Sequence, residues 1–389
     1  MKLINLILLF ILIVQGNVYA ADNINIAQSF EIDSKILQQK RTILVSLPTG
    51  YEANKARYPV IYMLDGLIAI SHAVGARDVL VKSANIPPTI IVGIKSEDRM
   101  MDFTPSSIEL YKSSGGADKF IRFIELELIP LINAKFRTNT FKALEGHSMA
   151  GLFTAHALIK SPDLFDAYII TSPELGWNKD EINEKLKLFL TSSQPLQKDL
   201  YFAVGEQESS MIKDQLSQFV SEIKNSSSNK MRIKHDIFED ESHMSVPLLA
   251  NYHALKFIFS DLRLPTDIIE NYSDEKFLAH EASMSKKYGE LARQELKVYI
   301  PLALGLMKQQ QYQSAVNVFK RLVQTYKVDN DHPQNYAWLA SAHDKNGNKQ
   351  AALKNYKIAL QKAVDIGFMR EALFRTKVTE LTAELGLAK

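Results

Sequence analysis

The chain of 389 residues contains no cysteine. That absence excludes disulfides, thiolate metal sites, a cysteine nucleophile and a lipobox for lipid attachment. An excess of one charge is also missing. Lys and Arg number 46 against 44 Asp and Glu, a net charge of +2. No basic cluster or aromatic–basic alternation marks a nucleic-acid partner. The 9 histidines form no H-E-x-x-H or H-x-H pattern, so neither a metal nor another cofactor is expected. Long apolar runs are nearly absent as well. The one near the start, Leu3 to Val14 broken by Asn5, is far short of the roughly 20 residues a bilayer span needs. With Lys2 before it and Val18-Tyr19-Ala20 after it, the run reads as a secretory signal cleaved after Ala20. The mature chain is then expected to be periplasmic or secreted, with no membrane span.

What is present is enough for a sizeable core: 46% of the residues are apolar, a normal share for a globular chain. Past the polar stretch 21–40, which suits a sheet edge, strand patterns fall at Arg41–Leu47, Tyr58–Leu64, Thr89–Ile94, Phe141–Leu144, Ala167–Thr171, Asp199–Val204 and Met231–Phe238. Several are continuous apolar runs, as in strands buried on both faces of a mostly parallel sheet. Helical patterns alternate with them at Ile68–Ser83, Asp118–Ala134, Leu152–Lys160, Met211–Ile223 and Ser245–Ser260. This rhythm predicts an α/β domain over 21–264. After Leu264-Pro265 strand signals stop, and 265–389 is expected to form a separate all-helical domain. Within it, Leu302-Ala303, Ala315 and Phe319 match Leu339-Ala340, Ala352 and Tyr356 at an offset of 37. Small residues that let helices pack closely, each followed by an aromatic, suit tetratricopeptide-like units with an insertion around Asp329–His332. An ordinary helical bundle is the alternative.

One stretch carries chemistry. Gly146-His147-Ser148-Met149-Ala150-Gly151 lies between a strand and a helix pattern. It matches a nucleophile turn in which small residues tolerate the close backbone approach, although Ala150 replaces the final glycine of G-x-S-x-G. A serine hydroxyl needs a base, a carboxylate to orient that base, and donors for the oxyanion. The expected chain order is serine, acid, histidine, each beyond a strand end.

Of the histidines after the candidate acid, His235 lies within a strand and His253 within a helix. His280, His332 and His343 fall in the helical segment. His243, in the loop between the last strand and the last helix of the α/β part, is the expected base. The acid is expected at Glu208, in the loop after the preceding strand, with Glu206 as the alternative. Asp240 and Glu241 are closer to His243 in sequence and read as solvated. The oxyanion donors are expected to be the backbone N–H groups of Met149 and Leu67, an assignment resting on topology. His147 reads as structural, and Asp163 and Asp166 as helix–strand connections.

Taken together, Tyr58-Pro59-Val60-Ile61-Tyr62-Met63-Leu64-Asp65-Gly66, Arg99-Met100-Met101-Asp102-Phe103-Thr104-Pro105, the serine turn and Ser172-Pro173-Glu174 resemble the Putative esterase family of α/β hydrolases. That family includes enterochelin esterases, S-formylglutathione hydrolase (esterase D), feruloyl esterases and mycolyltransferases. The resemblance covers about residues 35–262. It implies an α/β-hydrolase fold and a serine esterase with Ser148, His243 and Glu208 as its triad. It also implies that the 99–105 segment shapes the substrate pocket, with Arg99, Asp102 and Trp177 as pocket candidates. Where siderophore esterases carry bulky aromatics after Ser-Pro, this chain has Glu174-Leu175-Gly176-Trp177, which weighs against a siderophore. The polar segment Ser106–Gly116 suits either a lid or a solvated loop.

The expected function is hydrolysis of an unidentified small-molecule or peptide ester through an acyl-enzyme. An acyltransferase would use the same triad. In a third reading the α/β part is a scaffold whose helical tail binds a protein partner; the tail could also form a homodimer.

Overall fold

The computed structural model describes residues 25–387, apart from 84, 193–196, 227–230, 295 and 327–330. The expected signal segment, and Asp329 and Asn330 of the expected insertion, lie outside the described residues. Eight strands form one sheet: β1 (Gln28–Ser34), β2 (Gln39–Ser46), β3 (Tyr58–Met63), β4 (Ile90–Ile94), β5 (Thr138–His147), β6 (Ala167–Thr171), β7 (Asp199–Gly205) and β8 (Arg232–Phe238). Their spatial order is β1-β2-β4-β3-β5-β6-β7-β8. β1 and β2 form an antiparallel edge, β2 meets β4 antiparallel, and β3 through β8 run parallel.

Every residue of β3, β4, β6 and β7 is buried. Helices cover both faces of these strands, which explains apolar runs without alternation. The layers are built from α1 (Gly66–Lys82), α2 (Arg99–Phe103), α3 (Ala117–Phe123), α4 (Ile129–Lys135), α5 (Met149–Lys160), α6 (Trp177–Ser192), α7 (Ser210–Asn225) and α8 (Val246–Ile258). A π-helical turn, Ile124–Leu128, joins α3 to α4. The short α2 and the whole of α6 lie where no helix is expected from the pattern. In α6 the first turn is irregular, with Asn178, Lys179 and Asp180 left-handed. α3, α5, α6 and α7 cover one face, where Phe120, Phe153, Ile182 and Leu216 join the core. α1 and α8 cover the other, through Ile70, Leu80, Ala250 and Leu255.

Chain order leaves a crevice at one place. After β3 the chain steps outward to β4, then returns to lay β5 on the other side of β3. The carboxyl ends of β3 and β5 are therefore neighbours whose outgoing connections diverge, the usual place for a ligand in an open α/β sheet. Met63 pairs with Glu145 there, and the Leu64 N–H donates to the Glu145 carbonyl at 3.1 Å.

Beyond the sheet the chain is helical: α9 (Thr266–Glu270), α10 (Asp274–Tyr288), α11 (Leu296–Lys308), α12 (Tyr312–Thr325), α13 (Pro333–Lys345), α14 (Lys349–Ile366) and α15 (Glu371–Glu384). Ala303, Ala315, Ala340 and Ala352 are all fully buried where successive helices meet. None of the described helices is long and apolar enough to cross a membrane.

The expected clean separation after Pro265 does not describe α10. Its Met284 and Tyr288 belong to the core beneath α1 and α8. The Tyr288 ring lies edge-on to Phe141 and Phe259, each with centroids 4.9 Å away, and its hydroxyl donates to the Ile258 carbonyl and to Asp261. Gly289, at φ 96°, sits so close to Arg57 that a Cβ would lie 2.3 Å from its carbonyl oxygen. A hydrophobic pattern shows which residues are buried and leaves open which layer they are buried against. Tyr288→Ala is expected to destabilise the α/β part itself by about 3–5 kcal/mol, as for other large buried aromatics. Denaturant unfolding followed by near-ultraviolet circular dichroism checks this.

Candidate active site

Ser148 occupies a strained position between β5 and α5, at φ 62° and ψ −121°. Neighbouring backbone enforces it. A Cβ on Gly146 would lie 2.2 Å from the Ala150 carbonyl oxygen, and one on Gly151 would lie 3.0 Å from Pro173. Ala150 is fully buried, so the turn accommodates a methyl group in place of the final glycine of the pattern. The Ser148 N–H donates to the Thr171 carbonyl at 3.0 Å, and its own carbonyl accepts from Leu152 and Glu174. The backbone is thus fixed on both sides, and the hydroxyl is presented at the crevice.

His243 Nε2 lies 3.0 Å from Ser148 Oγ, and His243 Nδ1 lies 2.7 Å from Glu208 Oε2. The three residues come from the loops after β5, β7 and β8. The two later loops are knitted together: Glu206 N–H donates to the Phe238 carbonyl and Gln207 N–H to the Glu241 carbonyl. Gly205 makes this approach possible, since a Cβ there would lie 2.3 Å from the Glu241 carbonyl oxygen.

The other Glu208 oxygen accepts from Ser172 Oγ at 2.5 Å and from the Gly205 N–H at 3.0 Å. Burial works against the carboxylate charge, but the hydrogen bonds from His243, Ser172 and Gly205 outweigh it and hold Glu208 below the usual carboxyl range. An ionised carboxylate only accepts, so Nδ1 carries the proton of neutral His243 and Nε2 is left to accept from the serine hydroxyl. Glu206, the alternative acid, points elsewhere and pairs with Lys213 at 3.4 Å. His235 lies on β8 and His253 in α8, as expected, while His280 and His343 lie in the tail helices and His332 caps one of them.

The crevice opens into a cavity of about 580 Å³ lined by Ser148, His243, His147, Arg99, Asp65, Glu145 and His72. Asp65 adopts a left-handed conformation, φ 52°, at the head of α1. It pairs with Arg99 at 3.0 Å, which places Arg99 at the cavity wall. Leu67 and Met149 stand in the first turns of α1 and α5, where N–H groups have no intrahelical partner. α1 starts tight against the sheet, because a Cβ on Gly66 would lie 2.6 Å from the Gly93 backbone.

Two of the expected pocket residues are corrected. Asp102 is turned inward, 1% exposed, and is gripped through both oxygens by fully buried Arg41 at 2.5 and 2.7 Å. Trp177 does not line the cavity. Its Nε1 donates to the Ser106 carbonyl at 3.2 Å and its ring stacks on Tyr111, so it anchors the 106–116 segment. None of the cavity lining comes from that segment.

His147, expected to be structural, lines the cavity with its ring centroid 4.6 Å from that of His243. Burial first, and His243 second, push it down to about 4, so it is neutral in neutral solution. Ser172, Glu145 and His72 were not singled out by sequence reasoning. A signal for Glu145 existed: strand alternation puts this carboxylate on the same face as apolar Phe141 and Ala143.

Comparison with known proteins agrees with this architecture. The Putative esterase family model matches residues 34–246. Ferri-bacillibactin esterase BesA of Bacillus subtilis (strain 168) is 31% identical over 231 residues, covering 52% of this chain and 79% of that protein. The crystal structure of an IroE-like serine hydrolase from Shewanella oneidensis superposes with a TM-score of 0.62 at 27% identity, over 73% of this chain and 95% of its own. An uncharacterised protein from Capnocytophaga ochracea DSM 7271 superposes with a TM-score of 0.67 over 92% of this chain and 99% of its own. At 18% identity that likeness shows the fold alone, helical tail included.

The depressed Glu208 pKa has a consequence for stability. Its contribution is present above the ordinary value of 4.5 and is lost as pH falls through the lower folded value. Stability curves of wild type and Glu208→Gln are therefore expected to lie furthest apart above about pH 4.5 and to converge in more acidic buffer. Urea midpoints measured from pH 3 to pH 7 check this.

Proposed function

From its membership of the Putative esterase family, the family to which this chain belongs, we propose that it hydrolyses carboxylic esters through an acyl-serine intermediate formed on Ser148. That it is a carboxylic ester hydrolase follows from the family. The route through Ser148 is our reading, and the observation that carries it is the unbroken hydrogen-bonded chain Glu208–His243–Ser148.

In this mechanism His243 Nε2 takes the Ser148 proton as Oγ attacks the ester carbonyl. The Met149 and Leu67 N–H groups are proposed to hold the oxyanion. The imidazolium then returns the proton to the leaving alcohol, and Glu208 stabilises that charged ring without taking the proton itself. Water repeats the sequence on the acyl-enzyme. Arg99, which closes the cavity wall through Asp65, stands where it would meet the substrate.

An acceptor alcohol replacing water would make the enzyme an acyltransferase. Adding candidate alcohols and looking for transfer products distinguishes the two. The name of the Bacillus relative is that of a siderophore esterase. A siderophore ester therefore belongs in the substrate panel, although Glu174–Trp177 weighed against it. A periplasmic or secreted location, a tetratricopeptide-like arrangement of the tail helices beyond α10 and a partner or dimer bound through them are parts of the same proposal.

Ser148→Ala is expected to reduce turnover of p-nitrophenyl acetate to near background while leaving the circular dichroism spectrum unchanged. Glu208→Gln is expected to lower kcat by about 10,000-fold, the magnitude for losing the group that orients a triad histidine. Full activity in Ser148→Ala would refute the assignment.

A further inference from the structure

The alternation of β5 places Ala143 and Glu145 on the face covered by α1 and α8. An apolar residue is expected there, yet the position holds a carboxyl group with 1% exposure. Its Oε1 has no hydrogen-bond partner among the described residues, and Glu145 lines the cavity that contains Ser148. A buried polar atom without a partner costs about 1–3 kcal/mol, so this one calls for an explanation.

Its surroundings are polar but nearly balanced in charge. His72 of α1 lines the same cavity, and its Nδ1 faces Asn251 Nδ2 of α8 at 3.2 Å. Asp65, the nearest acid, is paired with Arg99. Burial first, and Asp65 second, push Glu145 up to about 8 against a hydrogen bond from Asn251 that lowers it; the shift favours the uncharged acid, which can donate as well as accept. Burial also pushes His72 down, leaving it neutral. The mouth of the cavity has the opposite character, with Ile68, Met244 and Leu248 exposed.

We propose that Glu145 and His72 form the polar floor of an acyl pocket, which takes an ester whose acyl chain is apolar along its length and ends in a neutral hydrogen-bonding group such as a carboxamide or hydroxyl. The acyl side is assigned because the alcohol must leave past His243, a third of which is exposed, while the acyl group stays tethered to Ser148 in the cavity that buried Glu145 also lines. Glu145 stands three positions before Ser148, so their Cα atoms are within about 10 Å, a gap that the two side chains and a six-carbon acyl chain together span. A site built to hydrogen-bond one group rejects an apolar isostere, because the isostere leaves the buried polar atoms unpaired.

The inference rests on the acyl-serine reading above, and the test separates the two. The probes are p-nitrophenyl 5-carbamoylpentanoate, its apolar isostere p-nitrophenyl 6-methylheptanoate, and the cationic p-nitrophenyl 6-aminohexanoate. Wild type is expected to favour the carbamoyl ester over both by about 10-fold or more in kcat/KM. Glu145→Gln, which stays a neutral donor and acceptor, is expected to keep the order, and Glu145→Leu to reverse it between the first two. Preference for the isostere or for the ammonium ester in wild type overturns the proposal. Should Glu145→Leu fail to fold, the wild-type ratios and Glu145→Gln still decide. Labelling of Ser148 by a fluorophosphonate with normal p-nitrophenyl acetate turnover, combined with the wrong ratios, removes only the polar floor. Absence of labelling removes the acyl-serine reading and this inference together.

Discussion

The site depends on one steric constraint, the backbone of Ser148 held at positive φ between a strand and a helix. A serine in ordinary extended conformation would continue the strand and bury its hydroxyl in the sheet. The turn is maintained because Gly146 admits the Ala150 carbonyl at a distance that any side chain would prevent, and Gly151 leaves only tight room beside Pro173. Strain of this kind costs on the order of 1–3 kcal/mol and persists only where the surroundings over-determine it. Here they do so through the bond from the Ser148 N–H to the Thr171 carbonyl and the bonds that the Leu152 and Glu174 N–H groups donate to the Ser148 carbonyl.

The same close packing recurs wherever a loop must be aimed. Gly205 brings the acid loop against the histidine loop, and Gly66 presses the start of α1 onto β4. Because β3 and β5 are neighbours with diverging exits, the Asp65 turn and the serine turn open onto one crevice. Glu208 is held by Ser172 and Gly205 before it meets His243, so the acid does not depend on the histidine for its orientation.

How much of this was legible in the sequence follows from range. The sheet was legible because its apolar runs are local, and the region of each loop could be inferred from strand ends. The order serine, acid, histidine pointed to Glu208 and His243, which the structure brings within hydrogen-bond reach of each other and of Ser148. Long-range pairing was not legible. Nothing near Asp102 in sequence shows that Arg41, 61 residues away, takes both its oxygens. Nor does anything near Trp177 show that it anchors Ser106. Tyr288 was assigned to a separate tail because a helical pattern carries no information about which layer it joins. The Glu145 carboxylate is visible in the sequence, but that it is buried and lines the cavity of Ser148 is not.

The account turns on a covalent bond to one oxygen, and trapping that bond tests it most directly. A slowly turned-over p-nitrophenyl ester, quenched in acid and digested, is expected to leave its acyl mass on the peptide containing Ser148. Ester turnover with no acyl adduct under single-turnover conditions, or with the adduct on another residue, would contradict it.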